Sequence, residues 1–461
     1  MKWTVADLFS GAGGMSYGFF AHPQFEMVGA VDAQVGKPSS GKGTLGCNET
    51  YLENIQVEPH EADLKKLDGE GCARLLQSRL SGRSLDVLLA CPPCTGFSRA
   101  NPNNHMEDDP RNSLVRRVAL WVDALEPKVL LMENARELIT GNFADHYKGL
   151  VDDLISKGYK VHGKVHMLDS FGLPQKRERA LVVAVREGFP LRTLEDLWEG
   201  YRVSRQATTV RSAIENLSPI AAGEICAVDP MHVSPKLAQD STRRRLELLP
   251  HDGGSWVDLK DHPEADLVLT PAMKRYIEKG KFGSHPDVYG RLWWDRPSVT
   301  IKRECAHVGN GRYSHPEQNR LLTVREMAIL QGFPRNYKFI SSSLSNMYRH
   351  IGDAVPPLIS HQLAWLTQWI LTGKRPAPGD IILPNTHLKT SDVEKKSALV
   401  GRGLSSGTLR RGSPGIACGW NHRHSGGRST GTAARSAKSA NVSGSKRSIG
   451  GDPEGERPWR R

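Results

Sequence analysis

The sequence predicts a mostly parallel α/β sheet in the first part of the chain, then a loop-rich region, then a disordered basic tail. Three observations predict it. Short apolar runs that end in polar or acidic residues alternate with runs whose apolar residues recur at helical spacing. Between residues 190 and 295 that periodicity loosens. From residue 374 onward the chain is rich in Gly, Ser and Arg. With few large apolar residues, such a segment buries too little surface to offset its ordering entropy.

The elements follow in order. WTVADLF (3–9) reads as a buried strand, GAGG (11–14) as a turn, and MSYGFF as a helix start. MVGAVD (27–32) is a second strand ending on an acid. VGKPSSGKGTLG (35–46) is loop, and NETYLENI opens a helix from Asn. VEPHEADLKKL (57–67) holds a short strand and a turn, and SLDVLLA (84–90) a strong strand. SLVRRVALWVDAL (113–125) is helical by spacing, and PKVLLMEN (127–134) is a strand ending in Glu-Asn. FADHYKGLVDDLISKG (143–158) is an amphipathic helix closed by Gly. YKVHGKVHM and RALVVAVRE are two further strands. Later helix signals are TVREMAILQGF (323–333), where Thr323 and Glu326 have capping-box spacing, and LISHQLAWLTQWIL (358–371). There is no internal repeat.

Bulk properties bound the function. A chain of 461 residues allows two or three domains at about 100–200 residues each. No apolar run approaches the roughly 20 residues of a spanning helix, and no signal-peptide pattern opens the chain. We therefore expect a cytoplasmic protein with no membrane partner. The seven cysteines are odd in number and mostly scattered, unlike a secreted disulfide framework. The net charge of +12 suggests nucleic acid, but from residue 374 on there are 17 basic and 6 acidic residues. That segment holds +11 of the charge, so the body is nearly neutral and any basic groove in it must be local.

Four stretches carry chemistry. In DLFSGAGG (7–14) a strand runs into a glycine-rich turn and a helix, which suits a cofactor or a plain turn. Asp32, about 20 residues on, could accept ribose hydroxyls, although Ser16 breaks the G-x-G-x-x-G pattern of dinucleotide binders. In ACPPCTGFS, Cys91 and Cys94 allow a zinc half-site, a redox pair, a structural thiol or a single nucleophile. Zinc lacks two further ligands at short spacing, so no metal is expected. A redox pair should open a helix in a thioredoxin-like unit, whereas this pair ends a strand. Glu133 ends another strand of the sheet, a position above an active cleft or an ordinary polar strand end. Arg177 and Arg179 in FGLPQKRERA alternate on one strand face, as pocket residues or as a solvated charged strand.

Together these stretches resemble the ordered motifs of the DNA cytosine-5 methyltransferases. DLFSGAGG is similar to the first motif, PPCTGFS to the Pro-Cys motif and MENARE to the Glu-Asn motif. FGLPQKRERA is similar to the Gln-x-Arg-x-Arg motif. RLLTVREMAILQGFP (320–334) and YRHIGDAVPPLIS (348–360) resemble the last two. The resemblance covers about residues 4–370, with a variable gap at 190–295.

The resemblance implies a Rossmann-like, S-adenosylmethionine-dependent methyltransferase sheet in 1–189, completed by 346–372. It implies a small target-recognition domain in 190–345, with 374–461 as the disordered basic tail. It implies that S-adenosyl-L-methionine methylates carbon-5 of a cytosine flipped out of duplex DNA. Cys94 would add to carbon-6, because carbon-5 is a poor nucleophile until a thiolate makes the ring an enamine. Glu133, made protonatable by burial, would serve ring N3. Arg179 would hold O2, and Arg177 would support the pocket or a phosphate. Asn134 would brace the Pro-Cys loop, with Gln175 and Ser98 supporting the substrate. Around the cofactor the resemblance places Phe9 near adenine and Gly11, Gly13 and Gly14 along the methionine part. Asp32 would take the ribose and Asp63 the adenine amino group, with Pro93, Leu114, Asp353 and Val355 lining the pocket.

Five positions depart from the family pattern. Ala90-Cys91 replace Gly-Gly, Thr95 replaces Gln, Ala135 replaces Val, and Asp353 replaces Asn and adds an acid near the cofactor pocket. Arg243, Arg244, Arg245 and Arg275 are candidate groove contacts or a solvated basic face. The expected protein is a monomer near the nucleoid, within a restriction-modification pair with a cognate endonuclease or as an orphan. The alternatives are a tRNA cytosine-5 methyltransferase, against which no Cys-Phe-Thr tripeptide is found, and a DNA-binding protein without catalysis.

Overall fold

Seven strands make the main sheet of the computed structural model, which describes residues 1–37, 42–97, 108–280, 282 and 287–396. They are β1 (Trp3–Leu8), β2 (Phe25–Asp32), β3 (His60–Glu61), β4 (Val87–Ala90), β5 (Val129–Ala135), β6 (Tyr159–Met167) and β7 (Glu178–Arg186). Their order across the sheet is β3-β2-β1-β4-β5-β7-β6. The first five are parallel, while β7 runs antiparallel to both β5 and β6. The central strands are buried along their length: VLLA in β4 and VLLMENA in β5 are buried at every residue. Continuous apolar runs of this kind mark parallel strands covered on both faces.

The helices used below are α1 (Gly14–Phe20), α2 (Cys47–Ile55), α3 (Gly69–Leu80), α4 (Ser113–Leu125), α5 (Asp145–Ser156), α6 (Val324–Leu330), α7 (Leu344–Asp353) and α8 (Pro357–Thr372). Side chains alternate across the strands, so Val5, Val87, Leu89 and Leu131 join one core with Phe19 of α1 and Leu358, Ile359 and Leu363 of α8. Ala6, Leu88, Ala90 and Leu130 join the other with α3 and α4. The α1–α8 contact needs glycine. A Cβ on Gly14 would overlap the Val355 carbonyl, and one on Gly18 would overlap the Ser360–His361 backbone. The last motif therefore returns to close the first core, 340 residues away in sequence. Helix α3 was not legible as a periodic run, although Asp68 caps it by accepting from the Gly71 N–H at 2.7 Å. The stretch read as loop at 35–46 contains short paired strands, Val35–Lys37 and Lys42–Thr44.

Residues 210–354 build another core around Trp256, Leu292, Ile301, Tyr313, Phe333 and Tyr348. Its helices are short and joined by long loops, as the loosened periodicity suggested. The Thr323–Glu326 capping box forms at the start of α6.

The expectation of disorder from Lys374 fails for the segment up to 396. Ile381, Ile382, Leu383 and Leu388 are buried, and Val393–Lys395 pairs antiparallel with Tyr201–Val203. The few apolar residues of the segment are concentrated here, and an average over the whole tail hides them. From Ser397 on, the tail lies outside the described residues. Among the described residues no helix is long and apolar enough to cross a membrane.

Candidate active site

The expected site residues collect at the carboxyl ends of β1, β2, β4 and β5. In open α/β sheets this edge forms a crevice where strand order reverses. The loop after β1 is tightly held. The Phe9 and Ser10 amides both donate to the Val31 carbonyl, at 2.9 and 3.1 Å. Phe9 has φ 69°, a left-handed conformation unusual for a bulky residue and often found where function constrains the backbone. Its ring packs on Trp121 of α4, centroids 5.6 Å apart. Leu114 is buried in the same core.

The three glycines of this loop differ. A Cβ on Gly13 would meet Ile55 Cδ1 at 2.5 Å, and one on Gly14 would overlap Val355, so both glycines serve packing. A Cβ on Gly11 meets nothing within 4 Å, and the Gly11 N–H donates to Asp32 Oδ2 at 2.9 Å. Asp32 also accepts from the Gln34 N–H at 2.6 Å and the Cys47 thiol at 3.5 Å. Burial raises its carboxyl, and these donors pull it back. Asp63 follows β3, whose pairing aligns Glu61 with Asp32. Asp353 ends α7 and ion-pairs with Arg303, whose charge also acts on Asp32. This pair was not expected, because nothing in the sequence links position 303 to 353. Beneath the loop, Ser16 donates to Asp7 at 2.5 Å and accepts from Tyr51 at 2.9 Å. Burial pushes Asp7 up to about 7. Asp7 Oδ1 and Ser10 Oγ are buried with no hydrogen-bond partner among the described residues. Open space at Gly11, an acid at the end of β2 and two spare buried polar atoms fit a polar, ribose-bearing cofactor.

The two cysteines of ACPPC part company. Alternation along β4 carries Cys91 to the core of α1 and α8, whereas Cys94 lies against the core of α3 and α4. This arrangement is unlike a dithiol unit. Pro92 is buried and Pro93 exposed, and Asn134 donates to the Pro92 carbonyl at 3.0 Å, bracing the loop. Cys94 starts a single turn, Cys94–Gly96. It lines a cavity of about 170 Å³ with Ala135, Arg136, Glu137, Glu178, Arg179 and Thr300. Burial pushes the Cys94 thiol up. Arg179 and Arg177 pull it down, while Glu133 and Asp353 act with burial.

Glu133 and Arg179 lie diagonally across the β5–β7 ladder, where Glu133 pairs with Leu181 and Ala135 with Arg179, and Arg179 Nε is 2.8 Å from Glu133 Oε1. Arg177 is buried. It donates to the Ile301 carbonyl at 3.1 Å and the Ala354 carbonyl at 3.4 Å. Both bonds run to buried protein carbonyls, a bracing position, and its buried Nε has no hydrogen-bond partner among the described residues. Gln175 is likewise fully buried. Its side chain donates to Gln331 Oε1 at 2.7 Å and accepts from the Ile301 N–H at 3.0 Å, so it joins three segments rather than facing a ligand. Ser98 lies outside the described residues.

Sequence reasoning missed Arg136, Glu178 and Thr300. The first two sit inside quoted motifs as unassigned letters, and Thr300 carried no signal. Three of the arginines offered as groove contacts are engaged elsewhere. Arg243 pairs with Asp240, and Arg244 with Glu264 and Glu247. Arg245 is buried, donates to the Val268 carbonyl at 2.6 Å and stacks over Tyr289. Arg275 is exposed.

The family model for C-5 cytosine-specific DNA methylases matches residues 3–366. The type II methylase M.HgiDII of Herpetosiphon aurantiacus is 30% identical over 382 residues, covering 81% of this chain and 97% of that protein. The type II methyltransferase M1.HphI of Haemophilus parahaemolyticus is 29% identical, covering 79% and 86%. A solved E. coli chain described as a prophage-encoded DNA modification methyltransferase superposes with a TM-score of 0.57 at 18% identity. That match covers 81% of this chain and all of the other, and it speaks to the fold.

Proposed function

The chain belongs to the C-5 cytosine-specific DNA methylases, and from that premise we propose that Cys94 is the nucleophile of a DNA (cytosine-5)-methyltransferase that acts on a base flipped out of the duplex. The observation that carries this reading is one cavity shared by the Cys94 thiol and Arg179, with Glu133 ion-paired behind it. A cytosine inside a duplex cannot reach such a cavity, so the base must leave the stack.

Cys94 adds to carbon-6 as a thiolate, and the ring electrons move toward carbon-5 and N3. Arg179 supports both steps, since its charge favours the thiolate and its remaining donors suit the base's O2. Glu133 places a carboxyl where N3 gains charge. Asn134, Arg177 and Gln175 hold the walls. Once carbon-5 carries the methyl group, water takes its proton, the carbon-5–carbon-6 double bond re-forms and the Cys94 sulfur leaves carbon-6 as thiolate. S-adenosyl-L-methionine, when bound, supplies the electrophilic methyl group. Phe9, Asp32 and Asp63 would hold its nucleoside, Gly11 its methionine part, and Leu114, Pro93, Asp353 and Val355 the rest of the pocket. The region 190–345 would read the sequence in the groove. The protein would act as a monomer, alone or beside a cognate endonuclease.

The test is methyl transfer from labelled S-adenosylmethionine to plasmid DNA or to tRNA. Label in DNA alone, lost by at least about 10⁴-fold in Cys94→Ser and largely kept in Cys91→Ser, is the expected result. Label in tRNA alone, or equal losses in both variants, would overturn the reading. DNA binding with no label would make the chain a reader without catalysis.

A further inference from the structure

We propose that Arg136 is a phosphodiester-binding residue at the mouth of the Cys94 cavity, held by Glu178 until DNA arrives and then exchanging that carboxylate for a phosphate flanking the target nucleotide. This rests on the reading that the cavity takes a base of DNA. A base that enters the cavity stays joined to its sugar, so the phosphates on either side remain at the mouth. Residues at the mouth therefore meet phosphate whatever the sequence.

The cavity is lined by two arginines. Arg179 is turned inward to Glu133, its side chain 14% exposed. Arg136 is 37% exposed and pairs through Nη1 with Glu178 Oε2 at 2.7 Å, Glu178 being equally exposed. Its Nε stands 3.7 Å from Glu137 Oε1. Ion pairs this open to water contribute about 0–1 kcal/mol, so giving one up costs little. A guanidinium gains a bidentate partner in phosphate.

The backbone sets Arg136 firmly in place. Ala135, the last residue of β5, pairs with Arg179 of β7, and Arg136 is the next residue, leading into the short helix Glu137–Thr140. Glu178 is the first residue of β7. The mouth thus carries an exposed carboxylate, Glu178, with Glu137 buried behind it, both of which would repel a phosphate, and Arg136 stands against both. This arrangement makes the pair an exchangeable latch, with Glu178 holding the guanidinium ready and keeping it from collapsing onto Cys94.

Equilibrium binding of the full chain to a fluorescently labelled duplex of mixed sequence, followed by anisotropy over a series of salt concentrations, tests this without turnover. Arg136→Gln should weaken binding several-fold and lower the slope of log K against log salt by about 1. Arg136→Lys should keep the slope. Glu178→Gln should tighten binding about three-fold by removing a repelling charge. An unchanged slope in Arg136→Gln would overturn the proposal, as would a Glu178→Gln protein that binds as weakly as Arg136→Gln. The second result would make the pair a structural brace. Wild-type protein that shows no salt-dependent binding to duplex would instead sink the DNA reading beneath it.

Discussion

Two buried glutamate–arginine pairs in this protein are chemically the same and do different work. In the core of 210–354, Arg320 reaches Glu326 with both terminal nitrogens, at 2.7 and 2.8 Å, and the side chains are 0% and 1% exposed. The Thr323 N–H donates to the same carboxylate at 2.7 Å, and Arg320 also donates to the Ile220 and Leu321 carbonyls. Beside Cys94, Arg179 meets Glu133 through Nε; Arg179 lines the cavity, while Glu133 is buried behind it. The first pair is saturated. The second keeps donors and acceptors for something not yet there. Saturation, rather than charge, separates the structural ion pair from the one proposed to act on the base.

Removing one partner from each pair sharpens the contrast. Glu133→Gln should cut turnover by about 10²–10⁴-fold, with a smaller stability loss than Glu326→Gln, because Arg179 keeps access to the cavity. Methyl-transfer kinetics beside thermal melting would show it, and a variant that mainly unfolds would break the comparison. Glu326→Gln should do the reverse. It leaves Arg320 buried and unpaired, costing about 3–5 kcal/mol of stability, while the folded fraction keeps near-normal turnover per molecule.

Acid provides a smaller, graded version. Arg320 and the Thr323 amide hold Glu326 at about 2, below its ordinary 4.5, despite burial. A depressed carboxyl stabilises the fold above its unfolded pKa, and that share is lost as pH falls. The gap in melting temperature between wild type and Glu326→Gln should therefore narrow between pH 4.5 and 2. A gap that stays constant over that range would remove Glu326 as the saturated partner. His315, the other titratable group facing Glu326, is held down at about 4 by burial. It adds a loss as pH falls from about 6.5 to 4 that is larger in Glu326→Gln, where the carboxylate no longer offsets burial, so the Glu326 effect is read below pH 4.

What could be read in the sequence follows the reach of each interaction. Strands β1, β2, β4 and β5, helix α4 and the Thr323–Glu326 cap were legible because their signals lie within a few residues. Helix α3 was not, since two glycines open it and only Cys72 and Leu76 of its apolar residues are buried, with Ala73, Leu75 and Leu80 partly so. The ordered strap at 374–396 was missed for the same reason: its buried residues are few, and their partners lie around Phe171 and Tyr201.

By itself the sequence determined which chemistry this protein carries. A thiol behind two prolines, a glutamate at a strand end and an acid closing β2 are local facts, fixed by residue type and strand register. Only the tertiary structure decided how each is used. It turned Arg177 and Gln175 inward as braces, set Cys91 and Cys94 against different cores, and spent Gly13 and Gly14 on packing while leaving Gly11 open. It also brought Arg303 to Asp353 and Arg136 to Glu178. The physical reason is that a side chain's role depends on which partners saturate it, and those partners arrive from segments that adjacency in sequence cannot reveal.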